Sequence, residues 1–453
     1  MNLTKDSIWL LLRKVTIPAS VGSLFQTFYN LVDTWFAGRI SAEAIGAIAK
    51  SFPIYFVIIA VGVGIGAATN ATIGNLIGEK KINKASLFIA QSVIFAVVMS
   101  VIVTLFGLNS SNFLLGVMSS DAASIALTRE YLDIIFYGTF IVMIQISLNG
   151  ALNAQGDTKS YRNVLIFSFF LNIFLNPLFI WGYGIIPAFG IAGLAIATVI
   201  AQSIGTLYLV YKINSCKLKK YLYIQCFIPK PDMLRELFSQ ALPIMFSMLF
   251  IGVGIFNILY FIGQFGDLAT AGYGAGLRVE QVFLLPVIGL NTAVLSIGGQ
   301  NFGAKQFDRI KELYFKALLL GSSFMVVAGI ILFFGAEFFL SQFTNNSEAI
   351  ISGAIYLKVA ALIGPIYPIF FITTAVFQAL KKPIYSLYLS ILRLTALPFL
   401  SLWYVINIRE GEYQDIFYTI MTTNCLMGAA VLIYMPFFLR KKLRMSFKKL
   451  FVF

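Results

Sequence analysis

Long apolar runs separated by short polar breaks follow one another along all 453 residues of the chain. A helix that crosses the ~30 Å hydrocarbon core of a membrane needs about 20 apolar residues, and runs of that length recur throughout. The pattern predicts twelve membrane-spanning helices, spans 1 to 12, at residues 8–38, 44–70, 85–107, 129–153, 161–182, 189–212, 234–263, 269–297, 311–340, 354–379, 384–406 and 414–439. We therefore expect an all-α polytopic membrane protein.

The composition excludes a water-soluble protein. Hydrophobic residues make up 59% of the chain and charged residues only 11%, whereas soluble domains carry about 25% charged residues. The chain has no His, which removes imidazole metal sites and His general bases. Three cysteines are too few for a disulfide framework or a thiolate metal cluster. With no catalytic constellation visible, we expect neither an enzyme nor a bound cofactor.

The net charge of +14 has a clear sidedness. Twenty-six of the 33 Lys and Arg residues lie at the two termini, in the 212–235 segment and in alternate connectors. The positive-inside rule places these segments in the cytoplasm, with both termini on that side of the cell membrane. Topology and the attraction of anionic lipid account for the charge, so no nucleic-acid partner is expected.

The two halves of the chain resemble each other at an offset of 225 residues, at which Pro18 matches Pro243 and Gly74 matches Gly299. Span 1 then corresponds to span 7, six spans later, so the repeats have the same orientation. We expect two six-helix lobes related by a pseudo-twofold axis along the membrane normal. Their predicted bounds are 1–212 and 234–453, joined by a cytoplasmic linker at 213–233.

Polar side chains at helical spacing lie in the first lobe only. Residues four and seven or eight apart share a helix face, and three such stripes occur: Gln26, Asn30 and Asp33 on span 1, Gln145, Asn149 and Asn153 on span 4, and Asn172 and Asn176 on span 5. The matching positions of the second lobe are mostly apolar. The stripes predict a polar cavity in the first lobe.

Two acids lie inside predicted spans. A carboxylate near a span centre costs about 2.5 to 3.5 kcal/mol on insertion scales, so each is a functional candidate. Asp33 falls in the outer half of span 1, although it could instead reach the outer interface beside Arg39. Glu280 and Arg278 on span 8 are a possible second-lobe polar site, although either could be a helix-packing residue.

Four sequence segments together resemble the multidrug and toxic compound extrusion (MATE) family. They are YNLVDT at 29–34, QGDTK at 155–159, NIFLNP at 172–177 and GQNFGA at 299–304. Each motif alone is modest, but with twelve spans in two parallel repeats the resemblance covers essentially the whole chain.

The resemblance implies a secondary antiporter that exports organic cations and other amphipathic compounds in exchange for Na⁺ or H⁺. It implies that Asp33 is the cation-binding acid, that Asn172 is its span 5 partner and that span 1 bends at Pro18. It also implies a helix 6 hydroxyl at Thr198 and cavity roles for Gln26 and Asn149. Asn176 departs from the Asp of one branch of the family, and Ile251 and Phe370 depart from acids of another, which puts a second-lobe ion site in doubt.

We hypothesise that Asp33, Asn172, Asn176 and Thr198 form one monovalent-cation site. Asn cannot take up a proton, whereas its amide oxygen suits a hard cation. This favours Na⁺, with protonation of Asp33 as the alternative. The substrate cavity is expected to comprise Gln26, Asn30, Gln145, Asn149 and Asn153.

The expected partners are small organic cations and membrane lipid, and we expect a monomer. One alternative function is a flippase for a lipid-linked saccharide. It would need several cations around its cavity to hold a pyrophosphate, and only Lys50, Arg278 and Arg393 are assigned to spans rather than to the connectors at their ends. The other is a membrane-embedded enzyme or channel, for which no ring of repeated charged residues is visible.

Overall fold

A computed structural model describes residues 1–118 and 121–443, and every regular element in those ranges is helical. They contain twelve helices long and apolar enough to cross a membrane, as predicted. The basic chain end from Arg444 onward lies outside the described residues. The α-helices are α1 (Ile8–Ile40), α2 (Ala42–Gly78), α3 (Ile82–Met118), α4 (Ala122–Asn153), α5 (Lys159–Ile180), α6 (Ile191–Ser215), α7 (Pro231–Ile262), α8 (Asp267–Gly303), α9 (Phe307–Ser341), α10 (Ser347–Ile363), α11 (Tyr367–Ala379), α12 (Ile384–Ser390), α13 (Leu397–Asn407) and α14 (Tyr413–Leu443).

Spans 10 and 11 are each built from two α-helices. A 3₁₀ turn at Gly364–Ile366 joins α10 to α11, and a π-helical turn at Ile391–Ala396 joins α12 to α13. Several helices also extend beyond the predicted spans, such as α3, which continues to Met118 rather than residue 107. Hydropathy marks only the part of a helix that crosses hydrocarbon, whereas the helix itself continues through the polar interface until its caps.

Side-chain caps start three of the longer helices. Ser41 accepts a hydrogen bond from the backbone N–H of Ala44 at the start of α2. Asp121 and Asn346 cap α4 and α10 in the same way. A short polar side chain at this position satisfies an N–H that has no partner within the helix. The sequence thereby fixes where these spans begin.

The internal repeat is visible in local structure. Four pairs of helices, α2 and α8, α3 and α9, α4 and α10, and α5 and α12, begin 225 residues apart. Lys80 and Lys305, also 225 apart, follow the ends of α2 and α8 with positive φ angles of 61° and 57°. The following N–H donates to the carbonyl five residues earlier at 2.9 Å in both turns. The duplicated sequence therefore builds duplicated helices and turns.

Contacts divide the chain into two compact units. The N-unit is Val21–Met245, and the C-unit comprises Met1–Ser20 and the chain from Phe246 onward. The divisions fall within α1 and α7, two or three residues after Pro18 and Pro243, rather than in the linker. The lobe bounds predicted from the sequence stay a prediction.

Glycines bring α2 and α4 together in the N-unit. A Cβ atom on Gly150 would lie 2.5 Å from the carbonyl oxygen of Gly66, closer than any real Cβ contact. Gly62 and Gly66 face Ile146 of α4 in the same way. Small residues allow this close approach of two backbones within a membrane.

The linker between α6 and α7 is held against α3. Gln91 is fully buried, and its side-chain Nε2 donates to the carbonyls of Cys226 and Ile228 at 2.7 and 2.8 Å. Its Oε1 accepts the N–H of Lys230 at 2.8 Å. Ser86 adds a 2.8 Å hydrogen bond to the carbonyl of Leu218. The linker is therefore an ordered strap on the N-unit, folded into two 3₁₀ turns.

Candidate functional site

Asp33 is buried in the N-unit with its carboxylate hydrogen-bonded on both oxygens. Nδ2 of Asn176 donates to Oδ1 at 3.0 Å, and the Thr198 hydroxyl donates to Oδ2 at 3.3 Å. The Asp33 residue is only 8% exposed. Its partners come from α5 and α6, so three helices converge on one acid. The predicted alternative, an Asp33 that reaches the interface beside Arg39, does not match this burial.

Asn172 and Asn176 lie one turn apart on α5 and bond to each other. Nδ2 of Asn176 donates to Oδ1 of Asn172 at 2.9 Å, and Nδ2 of Asn172 lies 3.4 Å from Oδ1 of Asn176. Both residues are completely buried. The structure thus brings together all four residues predicted for the cation site, in one connected set of hydrogen bonds.

The site lies in the outer part of the predicted topology. Asp33 is seven residues before the end of α1, and Thr198 is seven residues after the start of α6. Both distances correspond to about 10 Å at 1.5 Å per residue. Asn176 is four residues before the end of α5, on the same side. These positions agree with the outer-half site expected from the sequence.

Apolar side chains close the site toward the outer helix ends. Phe36, Ala37, Ile180, Ile191 and Leu194 belong to one buried cluster formed by the same three helices and α2. Apolar surroundings exclude water, and they strengthen electrostatic interactions because the local dielectric is low. A carboxylate there strongly favours a bound cation or a proton over the bare charge.

Tyr29 is a site residue that the polar-stripe analysis missed. It lies one helical turn before Asp33, is 3% exposed, and its hydroxyl is buried near Asp33 and Thr198. That hydroxyl has no hydrogen-bond partner among the described residues. The i, i+4 spacing from Tyr29 to Asp33 could have indicated that the two side chains share a helix face. The tyrosine was instead counted as apolar in the hydropathy pattern. The hydroxyl is a further oxygen within reach of the acid.

The donor set suits a small hard cation. One carboxylate, two amide oxygens and one hydroxyl are the oxygen ligands that such ions prefer. Asn176 now presents its NH₂ group to Asp33, and a half-turn about its terminal torsion would present Oδ1 instead. The same carboxylate can also take a proton, which the amides cannot.

The five residues predicted for the substrate cavity differ in their hydrogen-bond partners. Gln26 and Asn30 bond to each other on α1 at 3.4 Å, with Asn30 exposed. Asn149 and Asn153 each carry a buried Oδ1 without a partner in the described structure.

Gln145 is 1% exposed, and its Nε2 donates at 3.0 Å to the backbone carbonyl of Gln202 on α6. Its amide donor therefore helps to pack α4 on α6, and its predicted place in the cavity stays a prediction. Its spacing on α4 matched that of Asn149 and Asn153, and spacing alone cannot tell a helix partner from a cavity.

The structure separates Glu280 from Arg278, the two residues named as a possible second-lobe polar site, and that site stays a prediction. Glu280 is 5% exposed and accepts a hydrogen bond from the Tyr356 hydroxyl, whereas Arg278 is exposed. Residues two apart on a helix point in different directions, so one lies inside the bundle and the other outside. Arg393 of the π-helical turn shares the cavity of Glu280 instead.

Pro18 lies inside an uninterrupted α1, and its role as a hinge stays a prediction.

A duplicated bundle of twelve spans with a polar site inside one repeat defines the architecture of a repeat-built membrane transporter. A family model, MatE, matches residues 18–178 and 243–402. The chain belongs to this family, as the sequence motifs predicted. The two matched segments begin 225 residues apart, at the offset of the internal repeat.

Known relatives cover most of the chain. An FAD transporter of Shewanella oneidensis is 26% identical over 448 residues, 95% of this chain and 94% of that protein. The probable multidrug resistance protein NorM of Thermotoga maritima is 27% identical over 355 residues, 77% of this chain and 75% of that protein. The multidrug export protein MepA of Staphylococcus aureus strain MRSA252 is 22% identical over 433 residues, 95% of this chain and 94% of that protein.

Solved structures share the fold. A MOP superfamily transporter from Pyrococcus furiosus superimposes with a TM-score of 0.90 at 22% identity, covering 98% of each chain. The outward-facing conformation of a multidrug resistance MATE family transporter superimposes equally well, with the same identity and coverage. The predicted fold class is confirmed, and the family match does not support the flippase alternative.

Proposed function

We propose that this multi-pass membrane protein is an antiporter that exports small organic cations and amphipathic compounds in exchange for Na⁺ bound at Asp33. The observation that carries the proposal is the buried carboxylate of Asp33 held by Asn176 and Thr198 from two other helices. A buried acid without a cationic side chain beside it is retained at a cost of several kcal/mol, which an ion-coupling role explains.

Na⁺ and substrate are coupled because both bind to the N-unit and each weakens the binding of the other. Na⁺ at Asp33 draws oxygen ligands of α5 and α6 toward α1, and the part of α1 beyond Pro18 shifts. The polar stripe of Gln26 and Asn30 lies on that same part of α1, so its substrate contacts weaken when the ion binds. Each net positive charge that the exchange moves inward across 100 mV supplies roughly 2.3 kcal/mol, enough for about a fiftyfold substrate gradient.

We infer from the charges of the N-unit that the substrate is a cation. Its cavity stripes carry amides, and its buried charge is the carboxylate of Asp33. The NorM and MepA relatives are named for multidrug resistance and export. A dianionic substrate such as the FAD of the Shewanella relative would need paired cationic groups in the cavity. Among the described N-unit residues, the buried stripes offer none.

The proposed setting is the cytoplasmic membrane, with both termini and the linker in the cytoplasm, and the proposed active form is a monomer in contact with lipid. No cofactor takes part besides the coupling ion. Proton coupling is the alternative, in which the carboxylate of Asp33 alone takes up and releases the coupling proton.

A liposome assay tests the proposal. Wild-type protein, Asp33→Asn and a control, Glu130→Gln, are reconstituted, and export of a fluorescent organic cation is followed under an imposed Na⁺ or pH gradient. Glu130 is an exposed carboxylate on α4 of the same unit. We expect Na⁺-driven movement in wild type and Glu130→Gln and none in Asp33→Asn. Movement driven only by the pH gradient would replace Na⁺ by H⁺, and Na⁺-driven movement in Asp33→Asn would refute the site.

A further inference from the structure

The C-unit contains a cavity that the proposed antiport does not use. Its volume is about 140 Å³, on the order of ten times what a single water requires. Most of its wall is aliphatic or aromatic, and six side chains with polar groups line it: Tyr273, Glu280, Tyr356, Tyr367, Arg393 and Asn424. A mostly apolar cavity with a few convergent polar groups is the usual form of a small-molecule site.

Glu280 retains unused acceptor capacity. The Tyr356 hydroxyl donates to its Oε2, and the Tyr367 hydroxyl lies near the carboxylate. Oε1 is buried and accepts no hydrogen bond from the described residues. A carboxylate offers about four lone-pair sites, more than two hydroxyls can fill. The buried acid is therefore poised to accept another hydrogen bond.

Arg393 retains unused donors in the same cavity. Its Nε donates to Oδ1 of Asn424 at 2.8 Å, and its guanidinium lies 3.9 Å from the ring centroid of Phe370. None of its four other N–H groups bonds to a described residue, although a guanidinium presents five donors in all. The side chain projects from the π-helical turn, and such turns occur frequently at functional sites.

The two opposite charges do not neutralise each other directly. Glu280 and Arg393 form no ion pair among the described residues, although both line the same cavity. A buried charge needs a partner and hydrogen bonds to offset its loss of hydration. The space between a donor-rich cation and an acceptor-rich anion fits a ligand that carries both complementary groups.

The first repeat has no equivalent of this arrangement. At the offset of 225, Tyr55 stands where Glu280 stands, and Ser168 stands where Arg393 stands. The segment that matches the π-helical turn lies within regular α-helix in α5. The two charged residues therefore occur in one repeat only, whereas a structural requirement of the shared scaffold would apply to both.

We propose that this C-unit cavity binds a small zwitterionic organic molecule. A protonated amine of the ligand would donate to Oε1 of Glu280, and a carboxylate would accept the paired N–H groups of Arg393, the bidentate geometry that a guanidinium favours. The apolar body would lie against Ile255 and Phe417. This site is separate from Asp33, and its occupancy does not depend on the proposed antiport.

Three probes with the same phenyl body isolate the two charges. Phenylalanine carries both groups, phenethylamine only the ammonium and 3-phenylpropionate only the carboxylate. Binding is measured by calorimetry on purified protein in nanodiscs, so no transport is required. We expect phenylalanine to bind at least about tenfold more tightly than either single-charge probe, because each charge pair adds hydrogen bonds.

Two variants assign each end of the ligand. Glu280→Gln should weaken phenylalanine and phenethylamine while leaving 3-phenylpropionate unchanged, and Arg393→Lys should weaken phenylalanine and 3-phenylpropionate. Glu130→Gln serves as the control and should bind all three as wild type does. The proposal is overturned if no probe binds wild type, which would mean a water-filled cavity, or if phenethylamine binds as tightly as phenylalanine, which would mean a cation site only.

Discussion

Replacement of Asn176 by Val tests whether the α5 amide is a working part of the cation site. Val keeps a branched side chain of similar size but removes both amide atoms. Nδ2 of Asn176 bonds to Oδ1 of Asp33 at 3.0 Å and to Oδ1 of Asn172 at 2.9 Å. The substitution thus removes the link between the acid and the second amide, and leaves the Thr198 hydroxyl as the remaining hydrogen-bond donor to the carboxylate among the described residues.

The expected magnitude follows from the loss of one interaction with a charged group. Hydrogen bonds to charged groups contribute about 1.5 to 3 kcal/mol, and each 1.4 kcal/mol is a factor of ten in an equilibrium constant. With Na⁺ bound, the lost group is an oxygen ligand of comparable strength. We therefore expect the Kd for Na⁺ to rise by roughly 10- to 100-fold. Thr198→Val, which removes a single contact at 3.3 Å, should have a smaller effect.

Thermal unfolding measured against Na⁺ concentration gives the affinity directly. A ligand that binds only the folded state stabilises it by RT ln(1 + [L]/Kd). A tenfold higher Kd therefore means that a tenfold higher Na⁺ concentration is needed for the same rise in melting temperature. Choline chloride keeps the ionic strength constant. The matched control is Gln145→Leu, which also removes one buried amide hydrogen bond but lies away from the carboxylate.

The control should lower the melting temperature without altering its dependence on Na⁺. If Asn176→Val binds Na⁺ within twofold of wild type, the amide is not a ligand and the four-residue site is refuted. If Gln145→Leu shifts the Na⁺ response as strongly as Asn176→Val, general loosening of the bundle explains both results, and the site is equally unsupported.

Three further predictions use other contacts of the N-unit. Asn176→Asp places a second carboxylate beside Asp33, where two like charges cannot both remain ionised, so transport should become driven by a pH gradient; unchanged ion selectivity would contradict this. Gly150→Ala forces the α4 backbone away from Gly66 and should destabilise the protein by about 1 to 3 kcal/mol, seen as a lower melting temperature; an unchanged value would contradict the close contact. Gln91→Leu removes three hydrogen bonds to the linker and should speed its cleavage by trypsin, with Ser203→Ala as the control; equal cleavage rates would contradict the ordered strap.

The apolar pattern predicted the fold because membrane thickness sets the length of a span. The number of helices, their duplication and the polar stripes all followed from spacing along one chain. The grouping around Asp33 was predictable for other reasons: a buried acid is costly in lipid, amides at i and i+4 on α5 share one face, and the family resemblance linked Asn172 to Asp33. That the group binds a cation stays a proposal.

Spacing along a helix does not reveal what each side chain meets across the bundle. Gln145 shares the face spacing of Asn149, yet it reaches a backbone carbonyl of α6. Arg278 is near Glu280 in sequence, but the acid faces Arg393, which is over a hundred residues away. Only tertiary packing, and a π-helical turn that no hydropathy pattern signals, places that arginine in the cavity.

Labelled Na⁺ flux in liposomes tests the central claim most directly. Vesicles containing the protein receive an outward gradient of organic cation with no Na⁺ gradient, and uptake of radioactive Na⁺ from outside is measured with the membrane potential clamped. We predict that efflux of the organic cation drives net Na⁺ uptake, although no Na⁺ gradient is imposed, in wild type and in Glu130→Gln, and not in Asp33→Asn. Efflux of the organic cation without any Na⁺ uptake in wild type would contradict Na⁺ antiport at Asp33.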